Sequence, residues 1–231
     1  MVSASMRESF EEQRRKAVEG LKAQGVIKSR KVEEAMLKVP REKFVPEKFR
    51  GQAYLDTPLP IGWGQTVSAL HMVALMCEFL ELEVGHKVFE VGAGCGYHAA
   101  VVAEIVAPKE AENPGHVYTI EIVKELADLA RRNLEAASYT GRVTVIHGDG
   151  SLGLPEHAPY DRIFVTAASP GIPPPLAQQL NPGGIIVIPV GDPHSYQVLR
   201  VARKHSDGKL SWEDLLGVAF VPLRGAYGHR V

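Results

Sequence analysis

The chain of 231 residues carries 26 Lys and Arg against 27 Asp and Glu, a formal net charge of −1, with 45% hydrophobic residues. That length suits one large α/β domain, and the balanced charge supplies no global attraction to nucleic acid or to an anionic membrane. The N-terminus has no apolar leader, no apolar run reaches membrane length, and Cys77 and Cys95 lie in apolar segments as free thiols; a disulfide framework is excluded and a cytoplasmic protein is expected.

Phe10, Ala17, Val18 and Leu21 share one face at helical spacing, and Gly25 stands where a helix cap belongs. A second helix is expected from about Ser29 to Val39, stopped by Pro40, with Val32, Ala35, Met36 and Val39 inward. Residues 40 to 66, rich in Pro, Gly and aromatics, read as a long functional loop. A helix then covers roughly Ser68 to Leu80. From residue 86 the pattern alternates, with strands expected at 87–91, 116–121, 143–147, 161–167 and 184–190 and helices at 97–107, 123–137 and 173–180. Such alternation implies an open, mostly parallel α/β sheet with ligand sites at the strand C-termini. Two further apolar runs, 196–202 and 215–223, read as antiparallel strands closing one edge.

The most informative segment is Val88-Phe89-Glu90-Val91-Gly92-Ala93-Gly94-Cys95-Gly96-Tyr97, a strand that stops at a glycine-dense turn and restarts as a helix. Its spacing is Gly92-x-Gly94-x-Gly96 rather than the Gly-x-Gly-x-x-Gly of dinucleotide folds. Glu90 beside it would repel a pyrophosphate but suit an ammonium or a sulfonium, which favours S-adenosylmethionine over NAD. Glu121, ending the next strand, can accept from a ribose diol or serve as a first-turn acid of the following helix. Asp149-Gly150, after the third strand, can bind an adenine amino group or form a plain Asp-Gly turn. Scattered His residues and the absence of a Cys pair argue against a metal site. Val165-Thr166-Ala167-Ala168-Ser169-Pro170 replaces the Asn/Asp-Pro-Pro-Tyr expected of an enzyme acting on a nucleic-acid base.

Two stretches carry a far more specific signal. Val39-Pro40-Arg41-Glu42-Lys43-Phe44-Val45-Pro46-Glu47 and Ala53-Tyr54-Leu55-Asp56-Thr57-Pro58-Leu59-Pro60-Ile61-Gly62-Trp63-Gly64-Gln65-Thr66-Val67-Ser68 resemble the signatures of the protein L-isoaspartate (D-aspartate) O-methyltransferase family. The glycine loop, Gly148-Asp149-Gly150, Pro159-Tyr160-Asp161, Pro182-Gly183-Gly184, Pro189-Val190-Gly191 and Val221-Pro222-Leu223 follow in that family's order. The resemblance spans roughly residues 20 to 223; the tail after Leu223 carries none of it.

The resemblance implies a class I methyltransferase Rossmann-like sheet with N-terminal helices and a rearranged C-terminal strand order. From the pattern along the chain, residues 1–231 are expected to form one domain, with 1–66 a helical and loop extension and 67–231 the cofactor-binding core. The resemblance also implies methyl transfer from S-adenosyl-L-methionine to the free α-carboxylate of L-isoaspartyl residues in damaged proteins, with isoaspartyl proteins and peptides as partners; a monomer is expected, since no exposed heptad seam or long apolar patch is evident. Ser68 is then the active-site residue. Gln65, Thr66, Val67, Ser68, His71, Glu90, Gly92, Gly94, Gly96, Glu121, Asp149 and Gly150 are expected at the cofactor, and Asp56, Thr57, Val221, Pro222 and Leu223 at the substrate. Ser68 also suits the N-cap of the helix that starts there, and Gly62-Trp63-Gly64 a lid hinge. Competing readings are a methyltransferase acting on a small carboxylate or RNA, a non-catalytic cofactor-binding adaptor, and an oxidoreductase.

Overall fold

Two short amphipathic helices open the chain. The computed structural model describes residues 8–230, and within them α1 spans Phe10–Ala23 and α2 spans Arg30–Lys38. Ser9 and Ser29 cap these helices by accepting from the amides of Glu12 and Val32. Gly25, at φ 73°, ends α1 by donating to Lys22 O at 3.0 Å while Val26 donates to Leu21 O at 2.9 Å. These paired bonds satisfy carbonyls the helix would otherwise leave open.

Residues 40 to 66 are not one irregular loop. Short 3-10 turns occupy Arg41–Lys43 and Glu47–Gln52, and a hairpin of β1 (Leu59–Gly62) and β2 (Gln65–Val67) follows. Gly62-Trp63-Gly64, expected as a lid hinge, is that hairpin's turn, with all three residues at positive φ. Arg41 is fully buried with its guanidinium 4.9 Å from the Tyr97 ring, which ties this segment to the body of the fold. The next helix, α3, covers Leu70–Phe79, two residues later than expected, and its N-cap is Ala69. Asp56 does the capping instead, accepting from the His71 amide at 2.8 Å.

The expected sheet is present. It comprises β3 (Lys87–Val91), β4 (His116–Glu121), β5 (Val143–His147), β6 (Tyr160–Val165), β7 (Leu180–Gly191), β8 (Gln197–Lys204) and β9 (Leu210–Val218). Their order is β5-β4-β3-β6-β7-β8-β9, parallel from β5 to β7 and antiparallel at β8 and β9. Helices α4 (Tyr97–Val106), α5 (Lys124–Ala136) and α6 (Pro174–Gln179) connect the parallel strands. Every residue of α4 except Glu104 is buried, which explains why the helix is apolar on nearly all sides. One hydrophobic cluster joins α1 and α2 residues such as Val18 and Met36 to sheet residues such as Val88 and Val187.

The final strand corrects the expected 215–223. Strand β9 ends at Val218, and the chain then leaves the sheet edge to run beside Ala168, whose N–H donates to Val221 O at 2.8 Å. Leu223 N–H donates back to Ala168 O at 2.7 Å. A nearly continuous apolar run passes through this change of partner, so sequence pattern alone merges the two.

Gly25→Ala tests the α1 terminus in isolation, because a Cβ there meets open space. The expected loss is about 1–2 kcal/mol, purely from left-handed backbone, measured by urea unfolding; an unchanged midpoint would refute the capping assignment.

Candidate active site

Chain connectivity reverses direction at β3: β4 and β5 lie on one side, β6 and β7 on the other. Such a switch point opens a crevice beyond the strand C-termini. The glycine loop ends β3 there, and Thr166 follows the end of neighbouring β6. Thr166 Oγ1 donates to Gly92 O at 2.8 Å, and a Cβ at Gly92, which has φ 100°, would collide with that hydroxyl. A side chain at position 92 is therefore excluded twice, by backbone and by space.

Three hollows meet at this point. A cleft is lined by Gln65, Thr66, Gly92, Gly94, Glu121 and Gly150, together with Val221, Pro222 and Leu223. A narrow crevice beneath the glycine loop is lined by Val67, Ser68, Val73, Glu90, Gly94 and His98. A larger cavity of about 550 Å3 lies between Ser68 and His71 and the 216–221 segment, with Tyr196 and Gln197 beside it. Thr66 and Thr166 line all three.

The polar groups around the junction are distinct in charge and satisfaction. Glu90 is 1% exposed; its Oε2 accepts from Thr119 Oγ1 at 2.5 Å, while Oε1 has no protein partner. Burial, only partly offset by the Thr119 bond, pushes its pKa up to about 8. Glu121 is also buried, but its oxygens accept from the amides of Gly94 at 2.9 Å and Val123 at 3.0 Å. It thus fixes the glycine loop and braces the start of α5 while facing the cleft. His98 packs on Phe164 with ring centroids 4.5 Å apart and stands 3.6 Å from Cys77 Sγ. Burial pulls its pKa down to about 3, so the ring is neutral, and its Nδ1 has no partner. Sequence reading missed His98, Val73 and Thr166. A histidine inside the otherwise apolar α4 was the available signal for the first.

Several expected contacts fall elsewhere. Gly96 does not line the hollows: its missing Cβ admits Leu134 of α5, whose Cγ would lie 3.0 Å away. His71 faces the larger cavity rather than the cleft, because it lies on the opposite side of α3 from Val73. Asp56 and Thr57 are exposed and line none of the three hollows; Asp56 holds His71, with Nδ1 at 2.9 Å, and the Thr57 amide donates to Leu55 O at 2.9 Å. Asp149 is occupied by protein: Oδ1 accepts from Ser151 N at 2.9 Å and Ser151 Oγ at 2.7 Å, and Oδ2 from the Ala226 amide at 2.8 Å. Tyr227 N–H donates to Ser151 Oγ at 3.0 Å, so Asp149 and Ser151 anchor the C-terminal tail. Ser68 does not cap α3, and among the described residues its hydroxyl has no hydrogen-bond partner.

The sheet order and the hollow at its switch point define a class I, Rossmann-like methyltransferase fold. Two solved structures share it across most of the chain. One, from Plasmodium falciparum, is a protein-L-isoaspartate O-methyltransferase in complex with S-adenosyl-L-homocysteine, with a TM-score of 0.79 and 28% identity over 91% of this chain and 98% of that one. Another protein-L-isoaspartate O-methyltransferase superposes with a TM-score of 0.82 at 31% identity, over 93% of this chain and 67% of that one. The family model for protein-L-isoaspartate(D-aspartate) O-methyltransferase matches residues 12–228, and the chain belongs to that family. A relative from Hyperthermus butylicus is 60% identical over 225 residues, 96% of this chain and 93% of its own. One from Staphylothermus marinus is 52% identical over 225 residues, 96% and 99% of the two chains. Both carry the name protein-L-isoaspartate O-methyltransferase.

Asp149→Ala should free the tail without moving the sheet. Hydrogen exchange at the Ala226 and Tyr227 amides is expected to quicken at least tenfold, on the order of the 1.4 kcal/mol a single anchoring bond supplies; unchanged exchange would contradict the anchor.

Proposed function

We propose that the chain transfers a methyl group from S-adenosyl-L-methionine to the free α-carboxylate of L-isoaspartyl residues in damaged proteins and peptides, starting their repair through a succinimide. The observation that carries this reading is the meeting of the cleft, the crevice and the 550 Å3 cavity at Thr66 and Thr166, with Ser68 beside them. The residues present fit the cofactor. The unpartnered, buried Oε1 of Glu90 suits an ammonium, Glu121 faces the cleft where a ribose would lie, and Gly92, Gly94 and Gly150 allow close approach. Gln65, Thr66, Val67 and Ser68 close the other side. When bound, the cofactor supplies an electrophilic methyl group on a sulfonium.

The chain's own task is placement. A carboxylate with a pKa of about 4 is already ionised near neutrality, so no residue has to remove a proton from it. Ser68 agrees with that chemistry: His71 is held by Asp56, and the serine hydroxyl is left free to donate to the incoming carboxylate. Thr66 and Thr166 wall the passage between donor and acceptor, and the β1–β2 hairpin shields it from water. Orientation of this kind contributes on the order of 7–11 kcal/mol. The 221–223 segment serves the cofactor side in this reading, since its Val221 carbonyl and Leu223 amide already pair with Ala168 and Pro222 has no N–H. The chain acts as one unit in the cytoplasm; the continuous core from α1 to β7 supports the first and the free, buried Cys77 and Cys95 the second.

Radiolabelled methyl transfer to paired peptides tests the function: label is expected on the isoaspartyl peptide and not on its aspartyl twin, and equal labelling would refute the reading. Ser68→Ala should lower kcat/KM roughly 10- to 150-fold, the value of a hydrogen bond to a charged group, with affinity for S-adenosyl-L-homocysteine unchanged. Glu90 adds a pH dependence. Its carboxyl is protonated in the free protein below about 8, and an ammonium ligand favours the ionised form, so binding releases a proton. Affinity measured calorimetrically should therefore rise with pH up to about 8 and level off above it; Glu90→Gln should bind weakly at every pH, without that slope.

A further inference from the structure

The 550 Å3 cavity has to receive an anion, yet it is lined mainly by apolar and neutral polar groups. An unpaired carboxylate is costly to bring into such surroundings. Among the described residues lining it there is no Lys or Arg, and His71 is the one side chain there able to carry a positive charge. Asp56 Oδ1 accepts from both the backbone N–H of His71, at 2.8 Å, and its Nδ1, at 2.9 Å. That double bond of one carboxylate to one residue fixes the ring and keeps a proton on Nδ1, which leaves Nε2 as the free nitrogen. Both side chains are 39% exposed, so the imidazole is reachable from the cavity. His71 also stands three residues after Ser68, across the start of α3, with both facing the same hollow.

We propose that His71, held by Asp56, is a substrate-binding residue that receives the acceptor carboxylate through Nε2, while Ser68 donates to the same group. This rests on the proposed function and assigns His71 to the acceptor rather than to the cofactor. The arrangement gives the cavity a reason to prefer a free α-carboxylate over a neutral amide. An ordinary aspartyl residue has its free carboxylate on the side chain, one methylene away from the backbone, so the placement of His71 and Ser68 has to separate the two. Asp56 stands 2.9 Å from Nδ1, so the ring is already oriented before substrate arrives. With Nδ1 tied to Asp56, an Nε2–H of the imidazolium is the group left to donate to the acceptor carboxylate.

The test compares wild type, His71→Gln, His71→Lys and Asp56→Asn on an isoaspartyl peptide, with S-adenosyl-L-homocysteine affinity measured separately and unfolding midpoints recorded. His71→Gln is expected to raise KM for the peptide at least tenfold, with cofactor-product affinity within twofold of wild type. His71→Lys should recover most of that loss, and Asp56→Asn should give an intermediate KM. Inhibition by the same peptide with its α-carboxylate converted to a carboxamide should be insensitive to His71→Gln. An unchanged KM in His71→Gln, or a loss confined to S-adenosyl-L-homocysteine binding, would overturn the assignment while leaving the methyltransferase reading intact. Absence of wild-type turnover on the isoaspartyl peptide would instead overturn that reading, and this assignment with it.

Discussion

The clasp between β3 and β6 governs the rest of the site. Thr166 Oγ1 donates to the Gly92 carbonyl at 2.8 Å, and the absence of a side chain at Gly92 is what lets the two strand ends approach so closely. Because these strands flank the switch point, the clasp sets the width of the crevice just where the three hollows join. Thr166 is thus both a wall of the passage and the fastening that forms it. Glu121 fastens the other flank by accepting from the Gly94 amide at 2.9 Å. The glycine loop is held from two neighbouring strands before any ligand arrives, and little reorganisation is left for binding.

Charge is distributed around that clasp by burial rather than by number. Glu90 is kept protonated by desolvation until a cation replaces the lost water, whereas His98 is kept neutral by the same cause. Two unpartnered polar atoms, Glu90 Oε1 and His98 Nδ1, therefore face a crevice containing no fixed positive group. On the acceptor side Asp56 holds His71 at the rim, with Nδ1 at 2.9 Å. The donor side thus suits a cation and the acceptor side an anion, with Thr66, Thr166 and Ser68 between them. That polarity aligns the reactants without a general base.

Much of the sheet was legible because its central parallel strands, such as β3, are buried on both faces and read as apolar runs bounded by turns. Strands 87–91, 116–121 and 143–147 coincide with β3, β4 and β5. Where tertiary partners decide, the pattern fails. The β1–β2 hairpin has only four and three residues and turns through Trp63 at positive φ, so no periodicity marks it. The run 215–223 changes partner from β8 to Ala168 without any change in composition. Within the site, spacing located Glu90, Glu121 and the glycine loop. It could not separate a glycine that faces the cleft from Gly96, which admits Leu134, nor foresee that the tail would claim Asp149. His71 and Val73 differ by two residues on α3, and only the helix's orientation decides which hollow each one faces.

A crystal structure of the protein with S-adenosyl-L-homocysteine and an isoaspartyl peptide bound together tests the central claim most directly. The account predicts the sulfur at the junction between Thr66 and Thr166, with the peptide's α-carboxylate approaching from the Ser68 side through the 550 Å3 cavity. A peptide entering instead along the cleft beside Val221–Leu223, or a sulfur held away from those two threonines, would contradict it.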